Sequence, residues 1–323
     1  RSAQLGVGTR SLSEATPVQV GGMEGVKTMS AGHSYSLAVR EDGTAWAWGE
    51  DRVFRLGTAW DASTGARMTP GRVRELSGAT AVAASYWHSL ALSADGTGWI
   101  WGGDITTYNG DGMSSWYSPT RLLTGAVAVV AGTRHSLALQ GDGTVVAWGE
   151  NLRGQLGDGT TTKRSRPVQV LGLSDAVAVA ASDYFSLAVL RDGTVWAWGD
   201  NFYGQLGDGT TTQRLTPVRV SGLSDVVAVA AGSRHSLALS RDGTVWAWGD
   251  NFYGQLGDGT TTQRLTPVRV GNLSGVTQLA GGLVHSLAVL EDGTVWAWGS
   301  NDRGRLGDGL GDHRADPDKV LLP

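Results

Sequence analysis

Cysteine is absent from all 323 residues. That excludes a disulfide framework, a thiol nucleophile and any zinc site built on cysteine. Lysine is nearly absent as well, with only Lys27, Lys163 and Lys319 among the cations. The formal charge is -4 and the pI about 5.9, so there is no basic field of the kind that grips nucleic acid. No apolar run approaches the ~18 residues of a membrane-spanning helix, and no stretch carries the 3.6-residue pattern of a surface helix. The first residues, RSAQLGVGTR, have neither the regions of a signal peptide nor an initiating Met, and read as those of a mature or trimmed chain. Proline is sparse at 8, whereas glycine reaches 49, a level that asks for many tight turns rather than for collagen or a linker. Phenylalanine is scarce too, at 4 against 14 tryptophans.

What is present is a repeat. DGTAWAWG at 42–49 returns as DGTGWIWG at 95–102, DGTVVAWG at 142–149 and DGTVWAWG at 192–199, 242–249 and 292–299. A period near fifty residues has to be explained before any local motif. Within 221–270, four short apolar stretches stand out: VVAVAAG, HSLAL, VWAWG and TPVRV. Each is bounded by Gly, Asp or Ser, as strands are. Asp242-Gly243 is a short hairpin signal, and the longer GQLGDGTTTQR loop leads to the fourth stretch.

These features predict an all-β protein built from four-stranded sheets. Alternation puts Trp246 and Trp248 on one face of the third strand and Val245, Ala247 and Gly249 on the other. Both faces are apolar, so both need covering. Radial stacking of sheets in a β-propeller supplies that cover and protects the edges. Trp196, Trp198, Trp246, Trp248, Trp296 and Trp298 are therefore expected as packing between neighbouring sheets. The whole chain, 1–323, reads as a single propeller domain with units at 21–70, 71–123, 124–170, 171–220, 221–270 and 271–323. Residues 1–20 form a partial unit, because AQLGVGTRSLSEATPVQV matches the long loop and outer strand alone. Six sets of inner strands thus accompany seven outer ones, and the residues leave the number of blades open between six and seven.

AGxxHSLAL, DGTVWAWG and GQLGDGTTT together resemble the repeat of the regulator of chromosome condensation (RCC1-like) family, over essentially the whole chain. The resemblance implies a propeller with about fifty residues per blade and shifts the preference to seven blades, with six as the alternative. The family includes an exchange factor for the nuclear GTPase Ran, a plant ultraviolet receptor and an extracellular bacterial inhibitor of β-lactamases. This chain shows no long inserted hairpin and no basic tail like those of the exchange factor. Most of its tryptophans lie in WAWG strands, unlike the exposed clusters of the receptor. The broad group of bacterial propellers fits best, which favours an extracellular or cell-surface location slightly over the cytoplasm.

A meander sends the second-to-third turns to one face, where the sequence is monotonous DGT. The first-to-second and third-to-fourth loops emerge on the other face, and these vary. Variable loops on a fixed scaffold are where recognition sits, and aromatic and Arg side chains are favoured there. The candidates for a binding face are Tyr86, Trp87, Arg134, Arg153, Tyr184, Phe202, Tyr203, Arg234, Phe252 and Tyr253. Units one and two depart furthest from the pattern, the second carrying Tyr108, Trp116 and Tyr117 in place of GQLG.

His88, His135, His235 and His285 share one slot with Tyr35 and Phe185. A slot that accepts Phe cannot demand a base or a ligand, so His135, His235 and His285 are expected to be structural links between strands. There is no G-x-S-x-G elbow, no phosphate-binding glycine fingerprint and no calcium-loop spacing. No catalytic residue, metal site or cofactor is expected. The expected function is a non-catalytic scaffold that binds a protein partner through the variable face. The alternatives are a secreted inhibitor of another protein, an assembly component, or an enzyme using the central channel. Partner identity and oligomeric state stay open.

Overall fold

The computed structural model describes residues 3–8, 17–51, 53–58, 65–103 and 116–321, without the side chains of Trp116 and Tyr117. Arg52 and Tyr108 lie outside the described residues, as does most of the irregular loop of the second unit. Within these bounds the chain forms six four-stranded antiparallel sheets, each a meander in chain order. The first sheet comprises Val26–Ala31, Tyr35–Arg40, Ala45–Glu50 and Ala66–Arg72. The fourth, typical of the rest, comprises Ala176–Ala181, Phe185–Leu190, Val195–Gly199 and Arg214–Arg219. The sixth ends the series with Val276–Gly281, His285–Leu290, Val295–Gly299 and Arg314–Lys319.

The architecture is the all-β propeller arrangement, and it has six blades. The preference for seven is not borne out. Residues 17–20 belong to no ladder among the described residues.

Local chemistry explains each sheet. In the second-to-third hairpin, Gly243 takes φ 80°, a left-handed conformation that costs glycine little. Asp242 Oδ1 accepts the Thr244 amide at 2.9 Å, and Asp42, Asp95, Asp142, Asp192 and Asp292 close their turns in the same way. The hairpin also seats the link to the next sheet, since the Ala176 amide donates to the Gly143 carbonyl at 2.9 Å and the Val226 amide to that of Gly193 at 3.1 Å. A Cβ on Gly193 would stand 2.7 Å from the Asp225 amide nitrogen, so the close approach requires glycine. Monotony on this face is therefore structural.

The core lies between sheets. Trp248 of the fifth sheet is fully buried against Phe185, Leu187, Val189, Val195, Ala197, Leu206 and Val220 of the fourth. Its indole N–H donates to the Gln205 carbonyl of that sheet's long loop at 2.8 Å. Trp101, Trp198 and Trp298 repeat both contacts one junction at a time. Trp148 is likewise buried, but its Nε1 finds no partner among the described residues. Trp246 and Trp196 join the same junctions while staying half-buried. They sit nearer the hairpin end, and Trp196 Nε1 donates to Thr194 Oγ1 at 3.2 Å.

Candidate functional site: the loop face

The long third-to-fourth loop is a rigid object. Asn151 accepts the Leu156 amide on Oδ1 at 3.0 Å, and its Nδ2 donates to Asp158 Oδ1 at 3.0 Å and to the Thr162 carbonyl at 3.1 Å. Asp158 in turn caps Thr160 and pairs with Arg164 at 2.8 Å. Despite desolvation, its hydrogen bonds to Thr160 and Arg164 hold its carboxyl below the usual range. Asn201, Asn251 and Asn301 build the same knot. Sequence reasoning did not single out this asparagine, although its fixed place two residues after the Trp-Gly of the third to sixth units was the available signal. The long loops of the third, fourth and fifth sheets also reach forward, as when the Gly209 amide donates to the Leu265 carbonyl of the next sheet at 3.0 Å.

Beneath the loops runs the shared slot. His88, His135 and His235 place Nε2 at 2.7, 2.9 and 2.9 Å from Ser136, Ser186 and Ser286 of the following sheet. The hydroxyls of Ser186 and Ser286 donate onward to the Gln155 and Gln255 carbonyls, which makes the imidazole the donor and fixes the Nε2–H tautomer of His135 and His235. Burial pushes His88 and His285 down to about 4 and His135 and His235 down to about 3, so all four are neutral near pH 7. Tyr35 bridges to Ser89 at 2.8 Å, and its burial pushes the phenol up to about 12. A serine whose proton is already committed to a carbonyl, beside a donating imidazole, is a link rather than a nucleophile and base. Among the described residues no group of three or more His, Cys, Asp or Glu could hold a metal ion.

Above the slot, the first-to-second and third-to-fourth loops lie side by side, joined by amide-to-carbonyl bonds such as Asp200 to Tyr184 and Asp250 to Arg234, both 2.9 Å. The ten selected residues all emerge here, and most fall into three groups. Tyr86 and Trp87 meet at 4.7 Å between ring centroids with their planes tilted by 48°, with His33 against Tyr86 at 4.4 Å and the Arg134 guanidinium 5.6 Å from Trp87. Arg234 of the fifth sheet lies 4.6 Å over Tyr203 of the fourth, which packs edge-on against Phe202. Phe252 and Tyr253 form the same edge pair, extended by His313. Arg153 stands 3.8 Å from Asp200 but is largely exposed, so that pair adds little stability. Tyr184 is exposed nearby. Nearer the axis, Thr133 and Ser233 both bond the Asp183 carboxylate, tying the third, fourth and fifth sheets.

One arrangement was not selected from sequence. Leu152, Phe202 and Phe252 hold the same position in three successive sheets and are 73, 71 and 73% exposed. Leu152 varies in type but shares the register that puts the two Phe side chains into solvent.

Meander sheets stacked around an axis, cross-linked by buried indoles and carrying variable loops on one face, define a β-propeller repeat domain. The model of the RCC1-like domain matches residues 1–229 and 121–322, and the chain belongs to that family. The human probable E3 ubiquitin-protein ligase HERC6 is 39% identical over 103 residues, a match covering 31% of this chain but only 10% of the ligase. Human WBSCR16 superposes with a TM-score of 0.87 at 25% identity, covering 98% of this chain and 87% of that one. Yeast RCC1 (Prp20), solved bound to Kap60, gives a TM-score of 0.80 at 25% identity over 92% of this chain and 75% of that chain. The same protein from Saccharomyces cerevisiae has been described with its binding to Gsp1p and histones.

Proposed function

We propose that this chain is a non-catalytic interaction scaffold that docks a protein partner on its loop face. The observation that carries the reading is the arc of Leu152, Phe202 and Phe252 held out of the surface at matching positions. Isolated exposed apolar residues need no explanation, but a periodic row on rigid loops keeps apolar surface in water without benefit to the fold. The guanidinium groups of Arg134 and Arg234, stacked over Trp87 and Tyr203, add the aromatic and Arg chemistry typical of interface anchors. Prp20, a relative in fold, is a protein that binds other proteins, which agrees with this use of the scaffold.

The test is capture of partners from the producing organism with the wild-type chain and with a Leu152→Ala, Phe202→Ala, Phe252→Ala variant. Partners retained by the wild type should be lost with the variant while the melting curve is unchanged. Equal capture by both would remove the loop face from the interaction.

A further inference from the structure

Besides its fully buried indole, the third strand of most sheets carries a second one nearer the hairpin: Trp46, Trp99, Trp196, Trp246 and Trp296, all half-buried. One position governs what covers it, the residue two places before the hairpin aspartate. In these five sheets that residue is Arg40, Ser93, Leu190, Ser240 and Leu290. The Arg40 guanidinium lies 5.8 Å over the Trp46 ring. Ser93 accepts Trp99 Nε1 at 2.8 Å, while Arg121 covers that ring at 5.2 Å. Leu190 and Leu290 pack with Trp196 and Trp296 against the clusters of their junctions.

The fifth sheet breaks this pattern. Ser240 is too short to cover Trp246, and a cavity of about 470 Å³ opens between the hairpin and the link that enters the sheet. Leu223, Ser224 and Asp225 wall it on the link side, and Ser240, Arg241 and Trp246 on the other. The Arg241 amide donates to the Asp225 carbonyl at 2.9 Å and holds the two walls together. Trp246 packs against the cluster between the fourth and fifth sheets and gives its remaining surface to the cavity. The volume falls in the range of about 300–1,000 Å³ common to small-molecule sites.

The polar groups of this cavity lack partners. Trp46, Trp196 and Trp296 donate Nε1 to Thr44, Thr194 and Thr294 at 2.9, 3.2 and 3.1 Å. Trp246 Nε1 has no partner among the described residues, and neither has Ser240 Oγ, although Ser240 is only 9% exposed. A hydroxyl so buried is costly unless something bonds it. The Arg241 guanidinium and the Asp225 carboxylate are likewise unpaired among the described residues. Asp242, by contrast, is engaged in closing its turn. The combination occurs at one junction. The fourth sheet has Ser174, Asp175, Arg191 and Trp196 in the same places, but Leu190 fills the space; the sixth replaces Asp225 and Arg241 by Gly275 and Glu291.

We infer that this cavity binds a hexopyranose ring of a neutral glycan. The indole of Trp246 offers a flat apolar surface to the C–H face of the sugar. The planar fork of Arg241 donates to the oxygens of adjacent hydroxyls, and the Asp225 carboxylate accepts from a hydroxyl. Ser240 Oγ, able to donate and accept, meets the edge of the ring at the base of the cavity. Charge selects the ligand class. A cation entering here meets the guanidinium and an anion meets the carboxylate, whereas an uncharged ring with neighbouring donors and acceptors satisfies both. The site lies at the hairpin end and is independent of protein docking on the loop face.

The experiment follows the indole N–H signals of the full chain, isotope-labelled at tryptophan, by NMR. The probes are the methyl glycosides of glucose, galactose, mannose and N-acetylglucosamine, with methyl glucuronide as the anionic member. The Trp246 signal, identified by its absence from Trp246→Phe, should shift with a Kd of about 1 mM for at least one neutral glycoside. Ser240→Leu should abolish that shift without lowering Tm, because leucine fills the same position in two other sheets. Arg241→Glu, which copies the sixth sheet, should weaken binding by about tenfold or more through the lost charged donor. Leu190→Ser should make the Trp196 signal respond as well. No shift at Trp246 with any of the glycosides would overturn the inference. So would a shift that both Ser240→Leu and Arg241→Glu leave intact, or tighter binding of the glucuronide than of every neutral sugar.

Discussion

The two ends of each sheet are built from the same number of repeats and have opposite characters. At the hairpin end, every turn carries Asp, Gly and Thr in fixed places, and all of these side chains are spent locally: Asp caps the Thr amide, and Gly lets the following link approach. At the loop end, the backbone is just as fixed by Asn, Asp and Arg, yet the residues beside those knots differ among the sheets, as Leu152-Arg153 differs from Phe202-Tyr203 and Asp183-Tyr184 from Ser233-Arg234. Uniform residues are doing structural duty; variable ones ride on a frame that does not need them. The difference teaches that variability here reflects freedom from folding constraints, the condition under which recognition evolves.

The largest expected effect comes from the shared frame. Trp248→Ala removes a fully buried indole and its bond to Gln205, and should destabilise the protein by about 3–5 kcal/mol in urea denaturation. Phe252→Ala, an aromatic truncation at the loop end, should fall within about 0.5 kcal/mol of wild type. Near-equal costs would erase the contrast.

A smaller effect tests the slot beneath the loops. The buried histidines have folded pKa values of about 3 to 4 against an ordinary 6.5, so below pH 6.5 the unfolded chain binds more protons than the folded one. Stability is then fully present above pH 6.5 and falls as pH drops toward 3. His135→Phe, which copies the Phe185 slot, should lower the slope of stability against pH between 6 and 4 by up to about 1.4 kcal/mol per unit. An unchanged slope would show that His135 is not buried neutral.

The smallest effect concerns the irregular first unit. Asp51 occupies the position of the loop asparagines, and burial pushes its carboxyl up to about 6. The folded form therefore holds its proton more tightly, and stability is lost as pH rises from 3.8 through 6. Asp51→Asn should remove that loss and gain roughly 2 kcal/mol relative to wild type at pH 7 over pH 4, measured by melting at both pH values.

Much of this was legible in the residues. The period, the strands, the Asp-Gly hairpin and the indole-filled junctions follow from alternation and turn chemistry at 221–270. That Phe185 shares the histidine slot already spoke against catalysis there. What escaped has a common cause. The number of sheets depends on which junctions close, a tertiary matter, and a matching loop and outer strand at 3–20 suggested a seventh unit where the described residues form six sheets. The acceptors for the indoles are backbone carbonyls, which carry no side-chain signal. Trp246 and Trp248 share a strand face, but distance from the hairpin end makes one half-buried and the other fully buried.

The most direct measurement compares two triple variants under identical conditions: Leu152→Ala, Phe202→Ala, Phe252→Ala at the loop end, and Asp192→Ala, Asp242→Ala, Asp292→Ala at the hairpin end. Urea denaturation should find the first within about 1 kcal/mol of wild type and the second destabilised by about 3 kcal/mol, the loss of three turn-closing bonds. Partner capture should fail only with the first. Destabilisation concentrated in the loop-end variant, with capture lost in the hairpin-end one, would contradict the assignment of recognition to one face and folding to the other.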